Sequence, residues 1–194
     1  MNFSGKTIGF ALTGSFCTYE RVFTQMEALV KTGATVIPIF SNIAQQMTCR
    51  FGCSSDFIGT AERITHQQAL LSIPQTEPIG PKKMLDLLVI APCTGNTMAK
   101  LTHAITDSPV LMAAKSHLRT ERPVVIALAS NDSLGLNFQN LGQLYAYKHL
   151  FFVPFGQDDP VAKPNSLVAH MELLLPTIEA AFSNQQLQPV IRPY

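Results

Sequence analysis

The chain has 194 residues, of which 46% are apolar and only 14% charged, and fourteen basic residues against thirteen acidic ones leave a formal charge of +1. Such a length fits one domain of roughly 150 residues with trimmings, able to bury roughly 70% of its unfolded surface without a disulfide or metal staple. The balanced charge excludes the long-range field that gathers nucleic acid or anionic membrane, and the apolar content excludes disorder. A charged fraction this far below the ~25% of an average domain predicts that part of the apolar surface is covered by other subunits.

Met1 to Gly5 is polar and runs straight into a strand, so no targeting segment is expected. The longest apolar run, Val124 to Ala129, is far short of the ~20 residues that cross a bilayer. Cys17, Cys49, Cys53 and Cys93 have no framework spacing and are expected to be free thiols of a reducing cytoplasm.

In chain order, short β-type runs alternate with helical ones, which predicts an α/β, doubly wound (Rossmann-like, flavodoxin-like) parallel sheet in a single domain. The first strand is Lys6 to Leu12. A helix from Thr18 to Thr32 places Val22, Met26, Leu29 and Val30 on one face and stops at Gly33. The second strand is Ala34 to Phe40, with Pro38 marking a side that lacks a partner. A helix is expected over Asp56 to Leu71 and a loop over the proline-rich Ile73 to Lys83. Asp86 to Ala91 is the strongest buried-strand signal. Helices follow at Thr94 to Ile105 and Val110 to Leu118, then a strand at Val124 to Ala129, a helix at Phe138 to Lys148 and a weaker strand at Leu150 to Val153. One last helix is expected over Ser166 to Phe182, kinked at Pro176. The domain spans residues 1–183, and the tail from 184 to 194 is expected to be mobile or docked on a neighbour.

Open parallel sheets bind ligands where the strands end, so the residues leaving each strand matter most. They are Thr13, Gly14 and Ser15; Ser41 and Asn42; Pro92, Cys93, Thr94, Gly95, Asn96 and Thr97; and Ser130, Asn131 and Asp132. Each set alone is explained by helix capping. Together, four small, hydroxyl-rich exits on one edge predict a mononucleotide pocket, because glycine admits a close ligand and hydroxyls with free helix N–H groups suit phosphate. There is no G-x-G-x-x-G and no G-K-[ST], so neither a dinucleotide fold nor a P-loop hydrolase is expected from this chain. Cys49 and Cys53 with His66 lack a fourth metal ligand, and Cys93 beside a helix start has a route to a lowered pKa but no base nearby in sequence.

Gly9 to Ser15 (GFALTGS), the Ser41 exit and Pro92 to Ile105 (PCTGNTMAKLTHAI) with Asp107 resemble the homo-oligomeric flavin-containing cysteine decarboxylase family. Its third-strand pattern, P-A-[ST]-A-N-T-x-x-K-x-x-x-G-I-x-D, is matched by Pro92, Thr94, Asn96, Thr97, Lys100, Ile105 and Asp107. The resemblance implies FMN bound at a subunit interface of a trimer, often stacked into dodecamers. Thr13, Gly14, Ser15 and Ser41 would then hold the phosphate, and Pro92, Cys93, Thr94, Asn96 and Thr97 would line the ribityl chain and ring.

The chain departs from that family in two places. Where the decarboxylases carry a catalytic His it reads Glu77-Pro78-Ile79-Gly80, and the substrate motif P-x-M-N-x-x-M-W is replaced by Leu128 to Gly135, retaining only Asn131. Over its full length, altered run included, the chain is more similar to a branch of the family that serves as the second subunit of a two-subunit synthase of a pyridine dicarboxylate in sporulating bacteria. That likeness implies a partner subunit carrying NAD(P), a small dicarboxylate substrate, and action in the mother-cell cytoplasm. Lys100, Ser130 and Asn131 would contact substrate, with Arg119 and Arg122 as further carboxylate partners. Three readings stand: a redox subunit with an FMN-type pocket, a scaffold that activates its partner with the pocket empty or holding an anion, or an FMN-dependent cysteine decarboxylase, which the missing His and the rewritten substrate motif argue against.

Overall fold

The computed structural model describes residues 1–194. The uniformly apolar run becomes the middle of the sheet, because a parallel strand covered by helices on both faces has no solvent side to alternate toward. This is β3 (Leu87–Cys93), buried at every position. It lies between β1 (Thr7–Leu12), buried at all but its first position, and β4 (Val124–Ser130), buried throughout. With β2 (Thr35–Phe40) outside β1 and β5 (Leu150–Phe152) outside β4, the parallel strands run β2-β1-β3-β4-β5. Sequence order reverses between β1 and β3, so a crevice opens where their carboxyl ends diverge.

Two short strands extend this sheet. β6 (Phe155–Gly156) and β7 (Leu167–Ala169) add antiparallel pairing, with β7 against the last two residues of β4. The single helix expected over Ser166 to Phe182 is therefore divided. Leu167, Val168 and Ala169 are taken by the sheet, a 3-10 turn follows at Met171–Leu173, and α8 occupies Leu174–Phe182. Pro176 does not kink that helix. It sits in the first turn, where a missing N–H costs no intrahelical bond.

The helices follow from spacing and caps. α1 (Tyr19–Lys31) buries Tyr19, Val22, Met26 and Leu29, one per turn, and stops at Gly33, whose φ of +88° favours glycine. α1 and α8 cover one face of the sheet. The other carries α5 (Gly95–Thr102) and α6 (Pro109–Leu118), the latter started by Pro109 and capped by Ser108, whose hydroxyl accepts from the Leu111 N–H. α7 (Phe138–Tyr145) packs against α5 and β5. Full burial of side chains such as Phe10, Phe40 and Phe152 contributes roughly 1.5–3 kcal/mol each.

Three further expectations change. A five-residue helix, α2 (Asn42–Gln46), follows β2 directly, and the next helix, α3 (Ser54–Thr65), ends at His66 rather than Leu71, because His66 turns left-handed at φ 54°. The freed residues lie along the outside of β2, where Leu70 donates to the Pro38 carbonyl and accepts from Phe40. Pro38 thus turns its donor-less side outward, but that side is not without a partner as expected, because its carbonyl accepts from Leu70. The loop at Ile73 to Lys83 contains α4 (Ile73–Thr76) and a 3-10 turn at Glu77–Ile79, each with a proline early in its first turn.

The tail is docked on its own chain. Phe155 donates to Val190 and accepts from Arg192, and the Tyr194 hydroxyl donates to the Ala169 carbonyl. The Gln186 amide receives the Phe152 N–H and donates to the Phe152 carbonyl, both at 2.7 Å, so one side chain satisfies a free β5 edge residue. Gly156 allows the close approach, since a Cβ there would stand 2.0 Å from the Arg192 carbonyl oxygen. Gly156→Ala should therefore cost about 1–3 kcal/mol and increase amide exchange across residues 188–194. Unchanged melting and unchanged exchange would refute this docking.

At the opposite edge of the sheet, His117 is 1% exposed, with Nε2 3.1 Å from the Pro123 carbonyl. Burial, with a smaller contribution from Arg122, lowers its pKa from 6.5 to about 4. Because the unfolded chain binds this proton more readily, His117 should remove up to about 3 kcal/mol of stability as pH falls from 6.5 to 4. His117→Gln should flatten that part of a pH–stability curve, and an unchanged slope would assign the loss to other groups.

Candidate functional site

The carboxyl ends of β1 and β3 are joined by one buried side chain. The Thr13 hydroxyl donates to the Pro92 carbonyl at 2.7 Å and accepts from the Thr94 N–H at 3.1 Å. The Tyr19 hydroxyl, at the first residue of α1, donates to the Thr13 carbonyl. Burial raises the Tyr19 pKa far above its usual value, so this donor is permanent. Thr13 thus stands behind the site as a brace, with its hydroxyl already engaged, while Gly14 and Ser15 face the cleft.

Two clefts meet at Thr94. The larger, about 470 Å³, lies among Ser15, Thr94, Gly95, Ser130 and Asn131, under the Cys49–Gly52 turn. The smaller, about 240 Å³, lies among Ser41, Asn96, Thr97 and Lys100 at the exit of β2. The backbone pairs Ser41 N–H with the Leu12 carbonyl, and Gly14 packs against Ile43 of α2, so the first two strand exits are adjacent. A cavity of about 640 Å³ beside β6 and the tail is larger, but it receives none of the β1, β2 or β3 exits and has mostly apolar walls. The convergent hydroxyls make the smaller pair the candidate site.

Thr94 caps α5, its hydroxyl accepting from the Thr97 N–H and donating to the Thr97 hydroxyl. Asn96 is exposed at the rim. The Ser41 hydroxyl is buried and has no partner within the chain, an arrangement that costs about 1–3 kcal/mol unless a ligand oxygen completes it. The buried, unpaired Ser41 hydroxyl lines the smaller cleft, whose one carboxylate, Asp107, is paired with Lys100, and it fits an anionic group such as a flavin phosphate.

Other predicted residues are placed differently. Cys93 is completely buried and lines neither cleft, and burial pushes its thiol up to about 12, the reverse of activation beside a helix start. Pro92 is buried too and serves through its carbonyl. Lys100 is held by Asp107 at 2.5 Å. Ser130 donates to Asp132, which also accepts from Asn137, and Asn137 in turn accepts from Asn140. This chain of polar groups fits against Gly95, where a Cβ would stand 2.6 Å from the Ser130 hydroxyl. Arg119 and Arg122 follow α6 and precede β4, at the amino edge of the sheet, where Arg122 donates to the Lys83 and Leu85 carbonyls. They are absent from the clefts.

Phe16, Cys17, Arg50 and Phe51 also line the larger cleft, and no strand-exit pattern in the sequence singles them out. The first two follow directly on Gly14-Ser15. Arg50 and Phe51 come from the tight Cys49–Gly52 turn, closed by reciprocal backbone hydrogen bonds.

Known proteins share this fold. The chain is 54% identical over 187 residues to the B-type subunit of dipicolinate synthase from Bacillus subtilis (strain 168), covering 96% of this chain and 94% of that protein. It superposes on the crystal structure of the corresponding dipicolinate synthase B-type subunit from Bacillus halodurans with a TM-score of 0.92 at 52% identity, covering 100% of this chain and 99% of the other. The fold also matches the FMN-dependent cysteine decarboxylase SpaF, with a TM-score of 0.69, 19% identity and coverage of 93% and 98%. The Flavoprotein family profile spans residues 2–173, nearly the whole sheet and both clefts, and the chain belongs to that family.

Proposed function

We propose that the chain acts as the B-type subunit of a dipicolinate synthase, holding FMN at the carboxyl ends of β1–β4. Its partner would be the nicotinamide-dependent A-type subunit of the same synthase, in the mother cell of a sporulating bacterium. The observation that carries the flavin part is the buried, unpartnered Ser41 hydroxyl at the junction of the β1 and β2 exits. With Ser15 across the adjoining loop and the Thr97 hydroxyl beside it, Ser41 would hold the phosphate; Gly14 would let the backbone approach it. Thr94, Gly95 and Ser130 would pass the remainder of the cofactor into the larger cleft. When bound, FMN would supply a two-electron hydride acceptor for aromatising a dihydropyridine dicarboxylate. The chain's own residues orient the substrate: Asn131 offers an exposed amide at the cleft, and the Asp132–Asn137–Asn140 chain fixes the loop that carries it. Homo-oligomerisation as a trimer or dodecamer belongs to the same reading, and NAD(P) would be bound by the dehydrogenase partner.

A second reading, a scaffold that activates the dehydrogenase partner without a redox role, draws support from the commitment of Lys100 to Asp107 and of Ser130 to Asp132, and from clefts lined by no histidine. The two differ in colour. The purified chain should show a flavin absorbance band or saturable FMN binding, and Ser15→Asp should abolish binding by charge repulsion while the circular dichroism of the fold is retained. A colourless wild type that binds no FMN, yet accelerates dicarboxylate formation by the dehydrogenase partner, would establish the scaffold instead.

A further inference from the structure

Resting on that reading, the larger cleft has a further property. Its lining includes no acidic side chain and one cation, Arg50. The ion pairs of the chain involve Lys31, Lys100, Lys163 and His170, leaving Arg50 with no carboxylate of its own. Its neighbour in charge, Lys100, lines the other cleft and is already neutralised by Asp107. Most lysines and arginines of the chain lack an ion-pair partner, but among them Arg50 alone lines this cleft.

The turn that presents Arg50 is built to hold it. Cys49 and Gly52 exchange both backbone hydrogen bonds at 3.0 Å, which leaves Arg50 and Phe51 at the tip. Gly52 has a φ of +141° and lies against the Phe57 ring, so a side chain there would be strained and would push the turn away from α3. The guanidinium carbon stands 4.8 Å from the Phe51 ring centroid, an arrangement that orients the fork and still leaves its N–H groups free. Across the same cleft, Asn131 is exposed on the β4 exit.

We infer that Arg50 is the specificity-determining residue of this cleft, binding one carboxylate of a planar dicarboxylate whose other end meets Asn131. A guanidinium matches a carboxylate with two parallel hydrogen bonds, which a lysine at the same place cannot reproduce. Phe51 and Phe16 provide an apolar wall for the ring between the two polar ends. The fit is to a second acid group: a monocarboxylate would satisfy only one of the two contacts.

The test is a set of titrations on the purified full-length chain and its Arg50→Gln and Arg50→Lys variants. The probes are pyridine-2,6-dicarboxylate, pyridine-2-carboxylate, FMN and riboflavin, the last lacking the phosphate. Arg50→Gln should weaken the dicarboxylate roughly ten- to hundredfold, the ratio expected for a lost charge-assisted pair. It should leave the monocarboxylate closer to its wild-type affinity and FMN within about twofold. Arg50→Lys should recover only part of the dicarboxylate binding. If Arg50→Gln instead weakens FMN while sparing riboflavin and the dicarboxylate, the residue serves the cofactor phosphate, and the inference fails while the flavin reading stands. Wild type that binds FMN but not the dicarboxylate overturns the inference alone. Dicarboxylate binding lost in Arg50→Gln without any FMN binding upholds Arg50 and removes the flavin. No binding of either ligand overturns both.

Discussion

The Thr13 hydroxyl is the contact on which the site depends. It donates to the Pro92 carbonyl near the end of β3 and accepts from Thr94, two residues further on, so a single buried oxygen fixes β1 against β3 at the point where they diverge. Divergence is what opens the crevice, and an unbraced crevice would close around its own side chains or fray. Tyr19 extends the brace into α1 by holding the Thr13 carbonyl. Phe16, Phe23 and Phe57 then pack around the Tyr19 ring, so the hydrogen bonds are sealed from water by aromatic surface. In such a medium each bond is stronger and each unmade bond more costly, which makes the geometry of the exits stiff.

The same logic divides the polar residues of the edge into two classes. Thr13, Thr94, Ser130, Asp132 and Asn137 are engaged with one another and define shape. Ser15, Ser41, Arg50 and Asn131 face the clefts with bonding capacity to spare. Gly95 is the hinge between the classes, because its missing side chain lets the Ser130–Asp132 pair sit directly under the start of α5. A carboxylate there is favourable for the helix dipole, and its charge is partly dissipated by the two donors it accepts.

Much of this was legible in the sequence. Apolar runs at β1, β3 and β4, the spacing of α1 and the small residues at the strand exits are local signals, and all of them lie where expected. What sequence could not supply was partnership. Nothing about Thr13 distinguishes a phosphate ligand from a brace, and nothing about Lys100 announces Asp107 as its counterion, although both positions carry the family pattern. Cys93 shows the same limit: a helix start argues for an acidic thiol, yet full burial dominates and reverses the sign. Leu167 to Ala169 was lost to a helix because its three residues fit either period, and only pairing with β4 decides between them. Arg50 was missed because its turn follows no strand directly.

The edges of the sheet have a consequence for assembly. β2 is shut by Leu70 and by Pro38, the outer side of β6 by residues 190–192, and Phe152 of β5 by an amide side chain imitating a peptide group. An open row of backbone donors and acceptors would invite another chain to continue the ladder. With these sites occupied from within, the apolar surface left open lies in side-chain faces, among them the exposed Leu136, Phe138 and Tyr147 around α7. Any contact made at these positions by another chain is thereby left to side-chain shape and charge, where it can be specific, rather than to backbone pairing, which every protein shares.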